Sequence, residues 1–578
     1  MIKKKTFTKN FMRIIAVTMA VMTLFACTVK ETADEEDEHH PLHTYNYGMI
    51  GQSSSGAVMT QSSGTAMAAA APTSASANAS SSSGLSSTPP AYWGTYGYST
   101  YDIFGPDAEY ITEEYASLQE NVFKDVSTSP LSTFSADVDT ASYANIRRLI
   151  YSGYDPAHIP TGAARIEEMV NYFTYNYAGP SDNEPFGVNA EISECPWNKD
   201  HKLVRIGLQT EKIDYANAKD SNIVLLIDVS GSMYPYNKLP LAQESFCMMV
   251  DNLSEKDRVS IVTYAGGNET VIEGVSGDDK DTIKDAINTL TSGGSTNGAG
   301  GIEEAYRIAK ENFIKGGNNR VIIATDGDFN VGITSESELS DLIKEKAKDG
   351  IFLSVLGFGT GNYADARMET LADDGNGNYS YIDSIAEAKK VLGKDFGANM
   401  VTVAKDVKFQ VEFNPAYVAE YRLLGYEDRM LNNEDFDDDT KDAGEIGAGH
   451  SVTVLYEIVP GARTYEGAGL KYQTSALTED AVNSKEWLTL KIRYKYPESD
   501  ISNLLEYSIG ENEYTDSPSD DFMFAATVAE FAMILRQSKY ANGKDFNYVK
   551  NMLGSIKLND EYKEEFADMV DVCIQNSN

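Results

Sequence analysis

Apolar, strand-like runs in the middle of the chain alternate with segments of helical periodicity. The runs lie near 223–228, 258–264, 320–325 and 351–357, and the helical patterns lie near 238–252, 279–290, 298–314, 336–348 and 384–396. Strands that are apolar along their length are buried on both faces, and strands alternating with helices form mostly parallel sheets covered by helices. The pattern predicts an α/β domain with a doubly wound, mostly parallel sheet over residues 219–399.

The sequence after residue 400 has a different pattern. Apolar and polar residues alternate near 407–413, 417–426, 450–459 and 488–496, and helical patterns follow at 521–537 and 546–575. Alternation predicts antiparallel strands with one buried face. Two similar strands, 188–193 and 203–209, precede the α/β domain and have no sheet partners of their own. We therefore predict an antiparallel β-sandwich with terminal helices, into which the α/β domain is inserted or which flanks it.

The first residues have the pattern of an export signal. Five basic residues precede an apolar run at 14–25 that is too short to span a bilayer. The run ends in Leu24-Phe25-Ala26-Cys27, which resembles the bacterial lipobox, so Cys27 is predicted to carry the lipid. Two or more acyl chains would anchor the protein stably to a membrane. An ordinary signal peptide with an incidental cysteine is the alternative.

A long polar stretch follows the predicted lipid site. It is acidic first, then rich in Ser, Ala and Gly, and finally rich in Tyr, a composition that does not support a packed core. The acidic part resembles the export signal of Bacteroidetes-type surface lipoproteins, so both the periplasmic and the surface face of the outer membrane are left open. The chain therefore divides into a signal peptide (1–26), a disordered tether (27–120), an N-terminal helical and β region (121–215), the α/β domain (219–399) and a C-terminal β-sandwich with helices (400–578).

Charge and cysteine content exclude several classes of function. The chain has 48 Lys and Arg against 87 Asp and Glu, a formal net charge of −39. Nucleic acid is therefore not expected as a partner, because phosphate binding requires a basic surface. Three cysteines besides Cys27 do not make a disulfide framework. Cys247 lies on an apolar helical stripe and is expected to be buried, whereas pairing of Cys195 with Cys573 is left open.

Candidate chemistry follows the apolar run at 223–228. The run ends at Asp228, and Ser230 and Ser232 come next with Gly231 between them. Hard oxygens then lie at the carboxyl end of a buried strand, where open α/β sheets bind their ligands. A carboxylate and two hydroxyls suit a hard divalent ion such as Mg²⁺. The alternative is that Asp228 only forms a turn.

The stretch resembles the metal-ion-dependent adhesion site of von Willebrand factor A (VWA) domains, whose first segment reads Asp-x-Ser-x-Ser. Two further segments match that family in order and separation, a glycine-rich loop containing Thr296 and a second apolar strand that ends at Asp326. The resemblance implies that Ser230, Ser232 and Thr296 contact the metal through hydroxyls. It also implies that Asp228 and Asp326 bind it directly or through water.

Segments outside this domain resemble one family of bacterial lipoproteins. They lie at 130–143, 165–173 and 194–198. Members of that family have a characteristic N-terminal region, a VWA domain and a C-terminal domain of unknown function. The resemblance extends from about residue 121 to the end of the sequence.

Three hypotheses for function remain. The first is a lipid-anchored envelope protein that binds an Asp- or Glu-bearing protein partner through Mg²⁺, or through Mn²⁺ or Ca²⁺, at this site. The second is a structural scaffold of an envelope complex with a stabilising metal. The third, a Mg²⁺-dependent hydrolase, requires a base or nucleophile beside the metal, and Asp328 is the one nearby candidate. The chain is therefore predicted not to be an enzyme.

Overall fold

The computed structural model describes residues 113–577 except 137–138, 182–183, 213–217, 296–297, 328–335, 362, 442 and 463–476. The described strands are β1 (Lys124–Asp125), β2 (Leu131–Ser135), β3 (Phe186–Cys195), β4 (Asn198–Thr210), β5 (Ser221–Asp228), β6 (Arg258–Tyr264), β7 (Asn268–Ser276), β8 (Asn318–Thr325), β9 (Ile351–Phe358), β10 (Tyr379–Ile382), β11 (Thr402–Phe413), β12 (Val418–Leu424), β13 (Gly444–Gly447), β14 (Ser451–Pro460), β15 (Glu486–Lys495) and β16 (Ser502–Gly510). The predicted signal peptide, Cys27 and the tether up to residue 112 lie outside the described residues.

The described α-helices alternate with the strands in the middle of the chain and close its end. They are α1 (Ala141–Tyr151), α2 (Ile166–Asn171), α3 (Leu239–Val250), α4 (Lys280–Asn288), α5 (Gly298–Glu311), α6 (Glu336–Lys348), α7 (Asp365–Asp374), α8 (Ile385–Lys389), α9 (Phe396–Met400), α10 (Glu479–Asn483), α11 (Asp520–Leu535), α12 (Phe546–Leu553) and α13 (Glu561–Asn576). Residues 390–394 between α8 and α9 form a π-helical turn.

The sheet of the α/β domain has the order β10-β9-β8-β5-β6-β7. All neighbours are parallel except the hairpin of β6 and β7 at one edge. Alternate residues of β5 enter two separate cores, since Val224 and Leu226 pack with α5 while Ile223 and Leu225 pack with α3. The strand is apolar along its length because both of its faces are covered, as the sequence predicted.

Strands from before and after the α/β domain pair with each other in two antiparallel sheets. β4 pairs with β14 along eight residues, and β2 pairs with β11 in the second sheet. Side chains of both sheets meet in one core, which contains Val204 and Ile206 from β4 and Phe409 and Val411 from β11. The fold class is confirmed, and the α/β domain is inserted between two halves of a β-sandwich.

A helical layer covers the outer face of one sheet of the sandwich. Helices α1, α2, α11, α12 and α13 share a core with Leu203, Leu424 and Leu455 of that sheet. The sequence predicted one helix over 546–575, but α12 ends at Leu553 and α13 begins only at Glu561. Asp560 caps α13 by accepting from the N–H groups of Tyr562 and Lys563, so a new helix begins there.

Residues 113–120, which the sequence assigned to the tether, are part of the folded unit. The backbone of Glu114 exchanges hydrogen bonds with Tyr363 and Asp365, and Glu113 forms an ion pair with Arg148 at 2.7 Å. The predicted tether therefore does not include residues 113–120. Within the described ranges, none of the helices is both long and apolar enough to cross a membrane.

The three described cysteines are free thiols. Cys195 and Cys573 are buried, whereas Cys247 is only half-buried. The expectation that Cys247 is buried was wrong because its side chain only packs against the outside of the core, beside α4, with Asn288 Oδ1 3.8 Å from its sulfur.

Glu530 lies unpaired within the apolar helix α11. Its side chain is 0% exposed, and neither carboxyl oxygen has a hydrogen-bond partner among the described residues. Burial raises the pKa of Glu530 from 4.5 to about 8. Because the folded-state pKa lies above the unfolded value, Glu530 favours folding below about pH 4.5. That contribution is lost as the pH rises through about 8.

Glu530→Gln is expected to raise the free energy of unfolding by about 2 kcal/mol at about pH 9 and to change it little at about pH 4.5. Glutamine has a similar shape but does not ionise, so the folded state no longer holds a buried negative charge. Chemical denaturation at both pH values measures the effect, with the exposed Glu506→Gln as a matched control. The same pH dependence in the variant and the wild type would contradict the assignment.

Candidate metal centre

Asp228 and Asp326 lie beside each other at the carboxyl edge of the central sheet. β5 ends at Asp228, and Asp326 directly follows β8, which pairs with β5 in parallel with Ile227 opposite Ala324. Both residues are buried, with 0% and 5% exposed surface. Because parallel strands end at one edge of a sheet, residues nearly a hundred positions apart share one site.

The two serines form a turn directly above Asp228. The backbone N–H of Ser230 donates to Asp228 Oδ1 at 2.8 Å, and the hydroxyls of Ser230 and Ser232 are 2.9 Å apart. Residues Gly231–Met233 form a short 3₁₀ turn, with Ser230 buried and Ser232 exposed. The turn suggested as the alternative role of Asp228 is therefore present. It places Ser230 at the Asp228 carboxylate and the Ser232 hydroxyl beside that of Ser230.

The carboxyl group of Asp228 is buried close to that of Asp326. Burial raises the pKa of Asp228 to about 6, and the nearby charge of Asp326 acts in the same direction, while hydrogen bonds from Ser230 oppose the rise. Thr325 Oγ1 lies 3.5 Å from Asp228 Oδ2. Burial, and then the charge of Asp228, raise the pKa of Tyr264 well above its usual value. Two adjacent buried carboxyl groups are stabilised by a cation.

The loop predicted to carry the third hydroxyl touches the serine turn. Gly231 donates to the carbonyl of Gly294 at 3.1 Å, and Gly293 donates to the carbonyl of Val229 at 2.7 Å. Thr296 itself and Asp328, the candidate base of the hydrolase hypothesis, lie outside the described residues. The structure thus brings Asp228, Ser230, Ser232 and Asp326 together, and the role of Thr296 stays a prediction.

Lys238 is a residue of this site that the sequence reasoning missed. Its ammonium donates to Asp326 Oδ2 at 2.8 Å, and the two side chains are 11% and 3% exposed. The lysine stem lies against Gly359, which has a φ of +79° and where a Cβ would overlap the lysine. A left-handed glycine after β9 therefore makes room for Lys238. The available sequence signal was a lysine immediately before helix α3.

The residues present fit a hard divalent ion. Two carboxylates and two hydroxyls supply oxygen donors only, which Mg²⁺, Mn²⁺ and Ca²⁺ prefer over nitrogen or sulfur. Among the described residues there is no group of three or more His, Cys, Asp and Glu side chains that could hold a metal. Any metal at this edge of the sheet would therefore depend on the serine hydroxyls as well as on the two aspartates.

A doubly wound sheet with Asp-x-Ser-x-Ser after its central strand defines a von Willebrand factor type A domain, and the model of that domain family matches residues 222–394. A model described as von Willebrand factor matches 109–205, and one described as the C-terminal region of the uncharacterized protein YfbK matches 398–575. The chain belongs to the family of the Escherichia coli K12 protein YfbK, to which it is 41% identical over 471 residues, covering 80% of this chain and 81% of that protein.

Two solved structures illustrate the likeness of fold. A von Willebrand factor type A protein from Catenulispora acidiphila is 16% identical with a TM-score of 0.38, covering 68% of this chain and 91% of its own. Proximal thread matrix protein 1 from the mussel byssus, with a zinc-occupied MIDAS motif, is 24% identical with a TM-score of 0.26, covering 31% and 45%. Both TM-scores are low, so the family assignment depends on the sequence matches.

Proposed function

We propose that this chain is a lipid-anchored protein of the bacterial cell envelope whose VWA domain binds a protein partner through a divalent metal ion. The ion is held by Asp228, Ser230, Ser232, Thr296 and Asp326, and a carboxylate of the partner completes its shell. The observation that carries the proposal is the pair of serine hydroxyls 2.9 Å apart beside the buried Asp228. Membership of a VWA family, whose domains generally serve adhesion or interaction, supports it.

The oxygen donors of the proposed site explain why the partner is expected to supply a carboxylate. Among the described residues two carboxylates lie at the proposed site, so a divalent metal held there would stay electrophilic and attract an outside carboxylate. Ser232 is exposed and directs the open side of the site towards solvent, while Asp228 and Ser230 are buried beneath it. Asp228 fixes the serine turn through the Ser230 N–H, so the same residue shapes the loop and supplies charge. The site is therefore suited to binding, and its described residues offer no base for hydrolysis beyond the two carboxylates assigned to the metal.

The envelope location is proposed from the N-terminal sequence. A basic segment, a short apolar run and Leu24-Phe25-Ala26-Cys27 favour lipid attachment at Cys27 and a place in the outer membrane. The polar stretch between Cys27 and residue 112 lies outside the described residues, and its role as a tether stays a prediction from its composition. A partner is therefore expected in the periplasm or at the cell surface.

Asp228→Ala is expected to weaken Mg²⁺ binding by the purified protein at least tenfold, because it removes a carboxylate and the anchor of the serine turn. Titration calorimetry measures the loss, and capture of partners from envelope extract with and without EDTA measures its consequence. The exposed Asp278→Ala removes the same charge away from the site and serves as control.

The possible outcomes of this experiment distinguish the proposal from its alternatives. Mg²⁺ binding and EDTA-sensitive capture that are both lost in Asp228→Ala support the proposal. Absence of any Mg²⁺ heat with the wild type would overturn the metal site. Mg²⁺ binding combined with capture that is indifferent to EDTA and to Asp228→Ala would overturn the metal-bridged partner and favour the scaffold.

A further inference from the structure

Two exposed tyrosines follow the serine turn of the candidate metal centre. Tyr234 and Tyr236 are 80% and 73% exposed, which makes them the most exposed aromatic side chains of the described chain. Met233 and Leu239 on either side of them are buried, with 0% and 3% exposed surface. The loop is therefore anchored at both ends while its two aromatic rings project into solvent a few residues from Ser232.

Glycines lie next to the start of this loop, since the backbone N–H of Tyr234 donates to the carbonyl of Gly231 at 3.4 Å and Gly231 donates to the carbonyl of Gly294 at 3.1 Å. Gly231, Gly266, Gly267, Gly293 and Gly294 come from three loops that meet here, since a Cβ at Gly294 would lie 3.4 Å from the backbone nitrogen of Gly266. At Gly267 and Gly293 no atom of the described residues lies within 4 Å of the position that a Cβ would take. We call these five residues the glycine floor. Because they lack side chains, they let the main chain of a partner approach closely.

Tyrosines in this setting are typical of binding surfaces. A tyrosine ring offers a large, rigid contact area at a low cost in conformational entropy, and tyrosine is enriched among residues that dominate interfaces. The cation of this loop, Lys238, is already engaged by Asp326. A partner carboxylate would therefore have the metal as its charged contact, and the tyrosines would supply the apolar contact beside it.

We propose that Tyr234 and Tyr236 select the partner of the metal centre. They favour an extended protein segment in which one Asp or Glu is flanked by an aromatic residue or proline. The flanking side chains pack on the two rings while the segment crosses the glycine floor. This proposal rests on the proposed metal-dependent function and adds which carboxylate-bearing segments that site prefers.

The test compares two capped pentapeptides, GFDFG and GGDGG, titrated into the full-length protein in Mg²⁺ and followed by NMR. The wild type is expected to bind GFDFG at least tenfold more tightly than GGDGG. In the double variant Tyr234→Ser, Tyr236→Ser the ratio is expected to fall to about one. The Mg²⁺ affinity of the variant, measured by calorimetry, is expected to stay unchanged, because neither ring is a metal ligand.

Tyr496→Ser is the control, since this tyrosine is also exposed, at 41%, but lies in the β-sandwich region. A wild-type ratio near one, or a preference that survives in the double variant, overturns the selection by the tyrosines while Mg²⁺ binding stands. No Mg²⁺ binding by either protein is instead a failure of the metal site itself. Self-association that Tyr234→Ser, Tyr236→Ser abolishes, seen by light scattering, overturns the assignment to a foreign partner and makes a second copy the occupant.

Discussion

Replacement of Arg165 by methionine is expected to lower the free energy of unfolding by about 4 kcal/mol. The guanidinium is 1% exposed, contacts Glu168, and lies 2.6 Å from Asp365 and 3.5 Å from Glu369. Glu168 and Asp365 are fully buried. Methionine fills a similar volume but leaves these carboxyl groups without their cation, and an unpaired buried charge is more costly than the pair is favourable. Denaturant unfolding measures the change.

Arg307→Met is the matched control. Arg307 lies on the surface of α5, 45% exposed, and bridges Glu304 and Glu311. Because exposed ion pairs contribute little, its replacement is expected to cost less than about 1 kcal/mol. If Arg165→Met were equally mild, the carboxyl groups around Arg165 would be protonated at neutral pH and the ion cluster would not hold the domains together.

The Lys238→Met variant is expected to bind Mg²⁺ about a hundredfold more tightly than the wild type, a gain of about 2.7 kcal/mol. The Lys238 ammonium contacts Asp326, a carboxylate of the proposed metal site, in a nearly buried position. Two unit charges about 4 Å apart interact by about 4 kcal/mol near a protein surface, so a dication and this ammonium repel each other strongly. Methionine keeps the stem that packs on Gly359 and removes the charge.

Calorimetric titration of Mg²⁺ into both proteins measures this effect, and the exposed Lys310→Met on α5 controls for the loss of one positive charge. Weaker or unchanged binding in Lys238→Met would show that the ammonium positions Asp326 for the metal. In that case Lys238 would be a supporting residue of the site and not a competitor. An increase in Mg²⁺ affinity would instead mean that the Lys238 ammonium balances the charge of Asp326 in the absence of a metal.

The contacts around Arg165 also explain how the inserted domain is held. Arg165 precedes α2, which belongs to the helical layer, whereas Asp365 and Glu369 belong to α7 of the VWA domain. A second buried arginine, Arg147 of α1, binds Asp383 and Glu387 at the start of the last VWA helices. The candidate metal centre is therefore carried on a domain that is fixed to its neighbours by charge pairs.

Local sequence patterns predicted the strands whose apolar residues show directly which faces of the strand are buried. The apolar run at 223–228 indicated a strand covered on both faces, and β5 has that position. The ends of such runs placed Asp228 and Asp326 at one edge of the sheet. The sequence also indicated the insertion, but its reason was partly wrong. Strands 188–193 and 203–209 were expected to lack partners of their own, whereas β3 and β4 pair with each other and β4 pairs with β14 on its other side.

Contacts between distant residues were decided by the tertiary structure. Lys238 reaches Asp326 across 88 positions, and Arg165 reaches Asp365 across 200. A charged residue has no periodic pattern that indicates its partner, and only the fold determines which opposite charge is desolvated beside it. By itself the sequence determined the strand ends, the serine turn and the oxygen-bearing side chains that they bring to one edge of the sheet. The tertiary structure decided which lysine occupies that site and which arginines hold its domain, because these depend on burial that no local segment contains.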